Sequence, residues 1–215
     1  MRVGVIGSGV VGQVLSDGFL RHGHEVVRGT REPAKLAGWA AGAGPRARAA
    51  PTQEAARAGE LVVLAVKGAA AEDVVAACGD ALDGKAVIDT TNPIAEGAPP
   101  QDGVLRFFTG LDGSLLERLQ ARAPRARFVK AFSCVGNALM VNPQLSGGPP
   151  TMFTCGNDPA AKETVAGVLR QFGWEVEDLG TAAAARAIEP LCILWCIPGF
   201  RQNRWQHALK LLERR

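Results

Sequence analysis

Short apolar runs alternate with amphipathic segments along the first hundred residues. Strands are predicted at residues 2–7, 25–28, 61–66 and 85–89, with a weak edge strand at 46–50. Helices are predicted between them, at residues 10–21, 33–39, 52–58 and 72–82. Repeated alternation of strand and helix is typical of a parallel sheet with helices on both faces. We therefore predict an α/β fold of the doubly wound, Rossmann type, with a mainly parallel sheet.

The second half of the chain continues this alternation after a loop rich in proline and glycine, residues 93–103. The elements predicted there are a helix at 114–123, a strand at 127–132, a loop or short helix at 137–141, a strand at 151–155, a helix at 159–172 and a strand at 175–178. A helical tail is predicted from residue 181 to 212, with a break at Pro198-Gly199. We thus expect a sheet domain over residues 1–180, with its core in 1–100, and a small helical C-terminal extension over 181–215.

The segment Gly7-Ser8-Gly9-Val10-Val11-Gly12 directly follows the first predicted strand and opens the first predicted helix. A G-x-G-x-x-G dinucleotide fingerprint lies in this structural context. In that motif the first glycine permits a tight turn, the second lets the backbone approach a pyrophosphate, and the third brings helix and strand close together. Backbone N–H groups at the helix N-terminus then face the anion. We interpret residues 1–180 as a dinucleotide-binding domain; the alternative is a purely structural glycine turn.

The end of the second predicted strand decides which dinucleotide is preferred. An NAD enzyme places an Asp or Glu there, about 20 residues after the glycine loop, to bind the ribose 2′-OH. Here the strand is followed by Thr30 and Arg31, while Glu25 lies at its opposite end. A hydroxyl and a guanidinium suit a 2′-phosphate, and Arg28 and Lys35 would add positive potential nearby. The pattern favours NADP over NAD.

Ligands of open α/β sheets lie beyond the carboxyl ends of the strands, so the residues after each strand are candidates to hold the nicotinamide half. These candidates are Val66 and Lys67 after the fourth strand, Thr91, Asn92 and Pro93 after the fifth, and Phe132 and Ser133 after the sixth. Two alternatives stay open at this point. Asn92 and Pro93 could form only a turn, and Phe132 could simply belong to the core.

Composition narrows the range of partners without naming a substrate. The chain has 215 residues, of which 47% are apolar and 21% charged, as in an ordinary globular protein. A net charge of +3 without any basic block argues against nucleic acid. The longest apolar run, residues 191–197, is far shorter than the roughly 20 residues of a membrane span. Five cysteines do not suggest a secreted disulfide framework and the first strand begins at once, so we expect a cytoplasmic protein with no membrane segment.

The C-terminal extension contains two cysteines that superficially suggest a metal or redox pair. Cys192 and Cys196 are four residues apart on one helical face, but no histidine or second cysteine pair completes a zinc site, so no metal is expected. With Trp195, Phe200 and Trp205 they form a large apolar surface. We expect this surface to line an acceptor pocket or to bury against a second copy of the chain in a homodimer.

Five motifs taken together resemble a known family. In chain order they are Gly7–Gly12, Gly29-Thr30-Arg31-Glu32-Pro33, Asp89-Thr90-Thr91-Asn92-Pro93-Ile94, Val129-Lys130-Ala131-Phe132 and Ile188-Glu189-Pro190-Leu191. Their combination, spread over nearly the whole chain, is similar to the coenzyme F-420-dependent NADP oxidoreductase family. The resemblance implies a Rossmann domain of the 6-phosphogluconate dehydrogenase type with a small C-terminal part. It also implies that NADPH is bound by the glycine loop and the Thr-Arg pair.

In the best-known members of that family the nicotinamide exchanges a hydride with the deazaflavin ring of F-420, whereas the similar domain of membrane metalloreductases passes it to a flavin. Carried over by position, the resemblance implies cofactor contacts from Ser8, Gly9, Val10, Val11, Thr30, Arg31 and Lys35, with Val66, Asn92 and Pro93 added. This chain has Ala131-Phe132-Ser133-Cys134 where family members often have Ala-Phe-Asn-Thr. Its long apolar tail is also not expected of a minimal deazaflavin reductase. The resemblance leaves the acceptor open between a deazaflavin and a flavin.

Three classes of function are compatible with these residues. The first is hydride transfer between NADP(H) and a deazaflavin or flavin, which needs positioning rather than an acid or a base. The second is NADPH-dependent reduction of a small carbonyl, imine or quinone, for which Lys67, Lys130 and Ser133 are the candidate proton donors. The third is a non-catalytic NADPH-binding redox sensor. No side chain is assigned a catalytic role.

Overall fold

The computed structural model describes residues 1–214, which form an eight-stranded sheet with the strand order β3-β2-β1-β4-β5-β6-β7-β8. The strands are β1 Arg2–Ile6, β2 Glu25–Thr30, β3 Ala47–Pro51, β4 Leu61–Leu64, β5 Ala86–Asp89, β6 Arg127–Lys130, β7 Thr151–Gly156 and β8 Glu175–Asp178. Neighbouring strands are parallel except for the antiparallel pair β6 and β7. The predicted doubly wound, mainly parallel α/β fold is confirmed.

Helices cover both faces of the sheet. They are α1 Val10–Arg21, α2 Ala37–Gly42, α3 Thr52–Ala58, α4 Gly68–Cys78, α5 Leu115–Arg122, α6 Pro159–Gln171, α7 Ala185–Ile188 and α8 Leu191–Gln202. Single 3-10 turns occur at Pro33–Leu36, Gly79–Leu82, Asn137–Leu139 and Ala182–Ala184. Because the sheet is covered twice, all four residues of β4 are buried, and alternate residues enter two separate apolar cores. Val63 belongs to the core on the α1 and α6 side, and Leu64 to the core on the α4 and α5 side.

Helix α4 begins four residues earlier than predicted, at Gly68 rather than at residue 72. The early start is possible because Gly68 packs directly on the segment after β5: a Cβ added to it would lie 1.9 Å from the carbonyl oxygen of Asn92. The N-terminus of α4 therefore lies immediately beyond the carboxyl end of β4. This position decides the shape of the site described below.

The prediction for the C-terminal tail is wrong in two respects. Helix α8 runs without a break through Pro198, which cannot donate to the Leu194 carbonyl one turn earlier. Leu194 is 55% exposed, so this turn of the helix lies at the surface. The helix then ends at Gln202 rather than near residue 212, with Asn203 in the left-handed region at φ 52°. The chain turns back there, and the Trp205 ring packs on Gly199.

After this turn the tail lies beside the sheet in extended form. The Thr151 N–H donates to the Leu209 carbonyl at 3.0 Å, and the Leu211 N–H donates to Thr151 Oγ1 at 3.1 Å. The Lys210 ammonium pairs with Glu175 at 3.0 Å. These contacts fix the tail at the start of β7 and β8, because they join backbone and side-chain groups of both strands.

Among the described residues, one helical stretch is long and apolar enough to cross a membrane, judged by its length and composition alone. It covers residues 182–202, and its mean hydropathy is 1.3. Within the fold 39% of that window is buried, and Ala185 and Ile188 lie in the core. Core helices pass the same test, so the finding is weak evidence for a span.

Replacing Gly199 by alanine tests the turn that ends the tail helix. A Cβ at this position would lie 2.2 Å from the Trp205 ring, so the ring must move or the helix must shift. We expect Gly199→Ala to lower the free energy of unfolding by about 1–3 kcal/mol, the usual cost of overpacking. Denaturant titration followed by tryptophan fluorescence measures the change.

Gly38→Ala is the matched control, since nothing lies within 4 Å of a Cβ added to that helical glycine. It should be neutral or slightly stabilising. Equal effects of the two substitutions would contradict the packing account.

Candidate functional site

A cleft of about 600 Å³ opens at the carboxyl ends of β1, β4 and β5. It is lined by Gly9, Val10, Val11, Ala65, Val66, Lys67, Gly68, Ala69, Thr90, Thr91, Asn92, Ile94, Ala95, Glu96 and Gly97. The structure thus brings together much of the predicted glycine loop with Val66, Lys67, Thr91 and Asn92. Thr30 ends the neighbouring strand β2, and Arg31 and Lys35 follow it, so these three residues lie outside the cleft lining.

The glycine loop is shaped by close backbone contacts. Gly7 has φ 146°, and a Cβ on it would lie 2.1 Å from the Ala65 carbonyl oxygen. A Cβ on Gly12 would lie 2.6 Å from the Gly7 carbonyl oxygen. Nothing lies within 4 Å of a Cβ on Gly9, which faces the cleft. Two of the three glycines are therefore required by packing, and the third leaves backbone exposed for a ligand.

Two helix N-termini point their first N–H groups at this cleft. Helix α1 begins directly after Gly9 and α4 directly after Lys67, and neither start has a side-chain cap. Uncapped N–H groups and the positive end of the helix dipole make a site for an anion. The donor set fits the pyrophosphate of a dinucleotide.

The residues after β2 carry charge at the rim of the sheet. Thr30 is half-buried and Arg31 exposed. Lys35 pairs with Glu32 at 2.8 Å, and its hydrogen bond holds the pKa of the Glu32 carboxyl below its usual value. Arg31 takes part in no ion pair within residues 1–214, so its charge is available to a ligand.

Arg28 lies inside the fold instead of adding positive potential at the surface. Its side chain is 1% exposed, and it donates to the carbonyls of Gly7 at 3.0 Å and Gly9 at 2.8 Å. These two hydrogen bonds hold the backbone of the glycine loop from the interior of the fold. The sequence does hold a signal for this role, namely a charged residue in the middle of a buried strand.

Three motifs that are far apart in the chain meet in one buried ion cluster. Lys130, at the end of β6, contacts Asp89 at the end of β5 at 2.5 Å and Glu189 after α7 at 2.9 Å. All three side chains are at most 2% exposed. Burial alone would lower the pKa of Lys130, but the two carboxylates outweigh it and the net shift is upward. Burial and the raised pKa argue against Lys130 as a proton donor, because its proton is held in the cluster away from solvent.

The ion cluster also fixes the backbone around it. Asp89 Oδ1 accepts from the Thr91 N–H at 2.9 Å and the Thr91 hydroxyl at 2.7 Å, and the Lys130 ammonium donates to the Thr91 carbonyl at 3.0 Å. The Glu189 carboxylate accepts from the first two N–H groups of α5, those of Leu115 and Leu116. One cluster thus holds the floor of the cleft, the start of α5 and the C-terminal extension. Each of the three motifs is recognisable in the sequence, but the contact between them is visible only in the structure.

Two uncharged polar atoms beside the cleft, Asn92 Oδ1 and Ser133 Oγ, are buried without a hydrogen-bond partner. The two residues are held together by a hydrogen bond from Asn92 Nδ2 to the Ser133 carbonyl at 2.8 Å. Buried polar atoms are normally satisfied, so this pair suits a ligand with both donor and acceptor groups. A nicotinamide carboxamide or a ribose has such groups.

Of the two alternatives left open for Phe132, the structure favours the core. Its side chain is 1% exposed, and the ring centroid lies 6.4 Å from that of Phe172 and 6.5 Å from that of Trp174. The residue has φ 62°, which turns the chain sharply after β6. Phe132 therefore does not flank the cleft with its ring.

Pro93 is buried beside Asn92.

The five cysteines are free and buried. Cys192 and Cys196 pack with Trp195 against Leu105, Phe107 and Trp205. Burial raises the pKa of the Cys134 thiol to about 11, so it is an unreactive thiol at neutral pH. No group of three metal-ligating side chains occurs in the part of the chain that the structure describes.

Comparison with known proteins places the chain among reductases. Residues 2–93 match the family model for coenzyme F-420-dependent NADP oxidoreductases. The solved structure of a proposed F-420-dependent NADP reductase from Arthrobacter sp. FB24 has 31% sequence identity and a TM-score of 0.91, covering 98% of this chain and 99% of that one. Metalloreductase STEAP3 from Rattus norvegicus is 29% identical over 92% of this chain, which spans 38% of that protein.

More distant solved structures share the fold. A reductive aminase from Aspergillus terreus in complex with NADPH and ethyl levulinate matches with a TM-score of 0.66 and 22% identity, covering 93% of this chain and 61% of that one. Fold, cleft and relatives together define an NADP-dependent oxidoreductase. The chain belongs to the coenzyme F-420-dependent NADP oxidoreductase family, and NADP(H) is its cofactor.

Replacing Lys130 tests whether the ion cluster stabilises the fold. Lys130→Met leaves two buried carboxylates without a partner, so we expect the free energy of unfolding to fall by about 3–5 kcal/mol at neutral pH. Denaturant titrations of the wild-type protein and the variant at neutral pH measure the difference.

Lys162→Met is the control for this substitution. Lys162 also pairs with a carboxylate, Asp178 at 2.9 Å, but in a pair that solvent reaches, since the Asp178 side chain is 48% exposed. Its loss should cost at most about 1 kcal/mol. Equal losses of stability in Lys130→Met and Lys162→Met would contradict the ion-cluster account.

The exposed arginine after β2 is expected to select the phosphorylated dinucleotide. A charged hydrogen bond contributes about 1.5–3 kcal/mol, so Arg31→Ala should weaken NADPH roughly ten- to a hundredfold. Affinity for NADH, which lacks the 2′-phosphate, should hardly change and serves as the internal control. Calorimetric titration with both cofactors measures the ratio, and an unchanged ratio would exclude Arg31 as the selector.

Proposed function

We propose that this protein transfers a hydride between NADP(H) and a ring acceptor, either the deazaflavin of F-420 or a flavin. Family membership supports the reaction type, and the walls of the cleft support the acceptor class. Val10, Val11, Val66, Ile94 and Ala95 supply apolar surface on which a flat ring can lie. Hydride transfer between stacked rings depends mainly on positioning.

Each part of the proposed site has a place in cofactor binding. The glycine loop and the starts of α1 and α4 would take the pyrophosphate. Thr30 and Arg31 would hold the 2′-phosphate, with Lys35 nearby. Val66, Lys67 and Thr91 and the unpaired polar atoms of Asn92 and Ser133 would hold the nicotinamide half, next to Pro93. When bound, NADPH supplies the hydride, and the chain's own residues orient it and exclude water.

The observation that carries the proposal is that the two threonine hydroxyls lining the cleft already make hydrogen bonds within the fold. The Thr90 hydroxyl donates to the Leu64 carbonyl at 3.0 Å, and the Thr91 hydroxyl donates to Asp89 at 2.7 Å. With Lys130 held in the ion cluster, Lys67 is the titratable donor that lines the cleft, and it is 84% exposed at the rim. This arrangement suits an acceptor that needs no proton from the protein.

The same lysine supports a second candidate, the reduction of a small carbonyl, imine or quinone. Lys67 lies 3.6 Å from Glu96 in an exposed ion pair and could reach a substrate in the mouth of the cleft as a proton donor. Lys67→Met separates the two candidates. At saturating NADPH, which offsets any loss of cofactor affinity, ring-to-ring transfer should keep its kcat, whereas reduction of a carbonyl or imine should fall by about a hundredfold or more.

The decisive experiment follows loss of NADPH absorbance with F-420, FMN, quinones and a panel of carbonyls and imines. We expect turnover with F-420 or FMN, and retention of kcat in Lys67→Met. Turnover confined to carbonyls, quinones or imines, with loss in Lys67→Met, would select the second candidate. Tight NADPH binding without turnover of any acceptor would contradict both.

We further propose a cytoplasmic homodimer. Five free cysteines suit a reducing compartment. On the C-terminal extension, Leu194 is 55% and Phe200 47% exposed, which is apolar area that a second copy could cover.

A further inference from the structure

Arg28 is a fully charged side chain placed in the middle of a buried strand. It is 1% exposed and lies between Val27 and Gly29 in β2, next to Val5 of β1. Arginine is almost never fully buried unless it is paired with an opposite charge.

The guanidinium contacts neutral groups. Nε and Nη2 donate to the carbonyls of Gly7 and Gly9, and the guanidinium carbon lies 5.2 Å from the centre of the Trp39 ring. Within residues 1–214 no carboxylate oxygen lies within 4.0 Å of it. Asp17 is the acidic neighbour, but its Oδ1 is occupied by the Trp39 indole N–H at 2.8 Å.

The charge of Arg28 is thus incompletely balanced. Burial lowers the pKa of Arg28, and only the more distant Asp17 opposes that effect. The cation also lies beside the first turn of α1, where the helix dipole is itself positive. A cation at that place is unfavourable unless an anion binds at the same helix end, which is where the glycine loop exposes its N–H groups.

We propose that Arg28 is a positioning residue for the pyrophosphate of the dinucleotide. It would act without touching the ligand, by holding the Gly7 and Gly9 carbonyls away from the cleft and by adding buried positive charge beneath the loop. The inference rests on dinucleotide binding at the glycine loop and is independent of the hydride acceptor. Its failure would leave the proposed reaction intact.

Two substitutions separate the charge from the hydrogen bonds. Arg28→Lys and Arg28→Gln are both shorter than arginine and both still donate hydrogen bonds, but only lysine keeps the charge. Arg48→Gln is the matched surface control, because Arg48 lies opposite Val27 on β3 and its removal changes the net charge by the same amount. Its side chain is 49% exposed.

The binding of two ligands is measured by calorimetry. NADPH contains the pyrophosphate, whereas adenosine 2′-monophosphate has the 2′-phosphate without it. We expect Arg28→Gln to bind NADPH about tenfold more weakly than Arg28→Lys, which corresponds to about 1.4 kcal/mol. Both variants should bind adenosine 2′-monophosphate as wild type does, and Arg48→Gln should bind both ligands normally.

Two results would overturn the proposal. Equal NADPH affinity of the lysine and glutamine variants would show that the charge is irrelevant. A parallel loss of both ligands in the glutamine variant would show that Arg28 only maintains the packing of the domain.

Should the glutamine variant fail to fold, wild-type protein tests the premise of the proposal, that the glycine loop above Arg28 binds a pyrophosphate. Millimolar inorganic pyrophosphate should then raise the Tm of wild-type protein and compete with NADPH, because a ligand that binds the folded state stabilises it. If pyrophosphate does neither, the proposal is wrong.

Discussion

The ammonium group of Lys130 lies between the carboxylates of Asp89 and Glu189, and all three side chains are buried. Three charged groups carry a large desolvation cost, so the cluster persists only because every group also makes further hydrogen bonds. Asp89 binds the backbone of the segment after β5, and Glu189 binds the first turn of α5. The cluster therefore links three parts of the structure, namely the floor of the cleft, the start of α5 and the C-terminal extension.

This constraint shapes the chemistry available in the cleft. The cluster uses the Thr91 hydroxyl and the Lys130 proton for structure, and neither is free to take part in acid–base catalysis. The remaining polar atoms, Asn92 Oδ1 and Ser133 Oγ, are suited to binding and orientation. A rigid cleft that positions a cofactor and supplies few protons is consistent with an NADP-dependent oxidoreductase whose chemistry resides in the cofactor.

Positive charge is distributed on two sides of the proposed cofactor site. Arg31 is exposed at the end of β2, where the 2′-phosphate is expected, while Arg28 lies beneath the glycine loop. The two residues are three positions apart, but Arg31 faces solvent and Arg28 faces the interior. The proposed selection of the dinucleotide by Arg31 and the proposed positioning of its pyrophosphate by Arg28 can therefore be tested separately.

Local pattern determined much of this protein. Strand and helix alternation specified the doubly wound sheet, because a strand covered on both faces needs a continuous apolar run such as that of β4. The glycine loop could also be predicted from the sequence, since its backbone geometry requires residues without side chains. The course of the C-terminal tail could not be predicted from local pattern. It depends on the packing of Trp205 on the tail helix and on hydrogen bonds to Thr151, which is distant in the sequence. Only the tertiary structure could show that Lys130 meets Asp89 and Glu189, or that Arg28 points inward, since burial of charge depends on which strands and helices become neighbours.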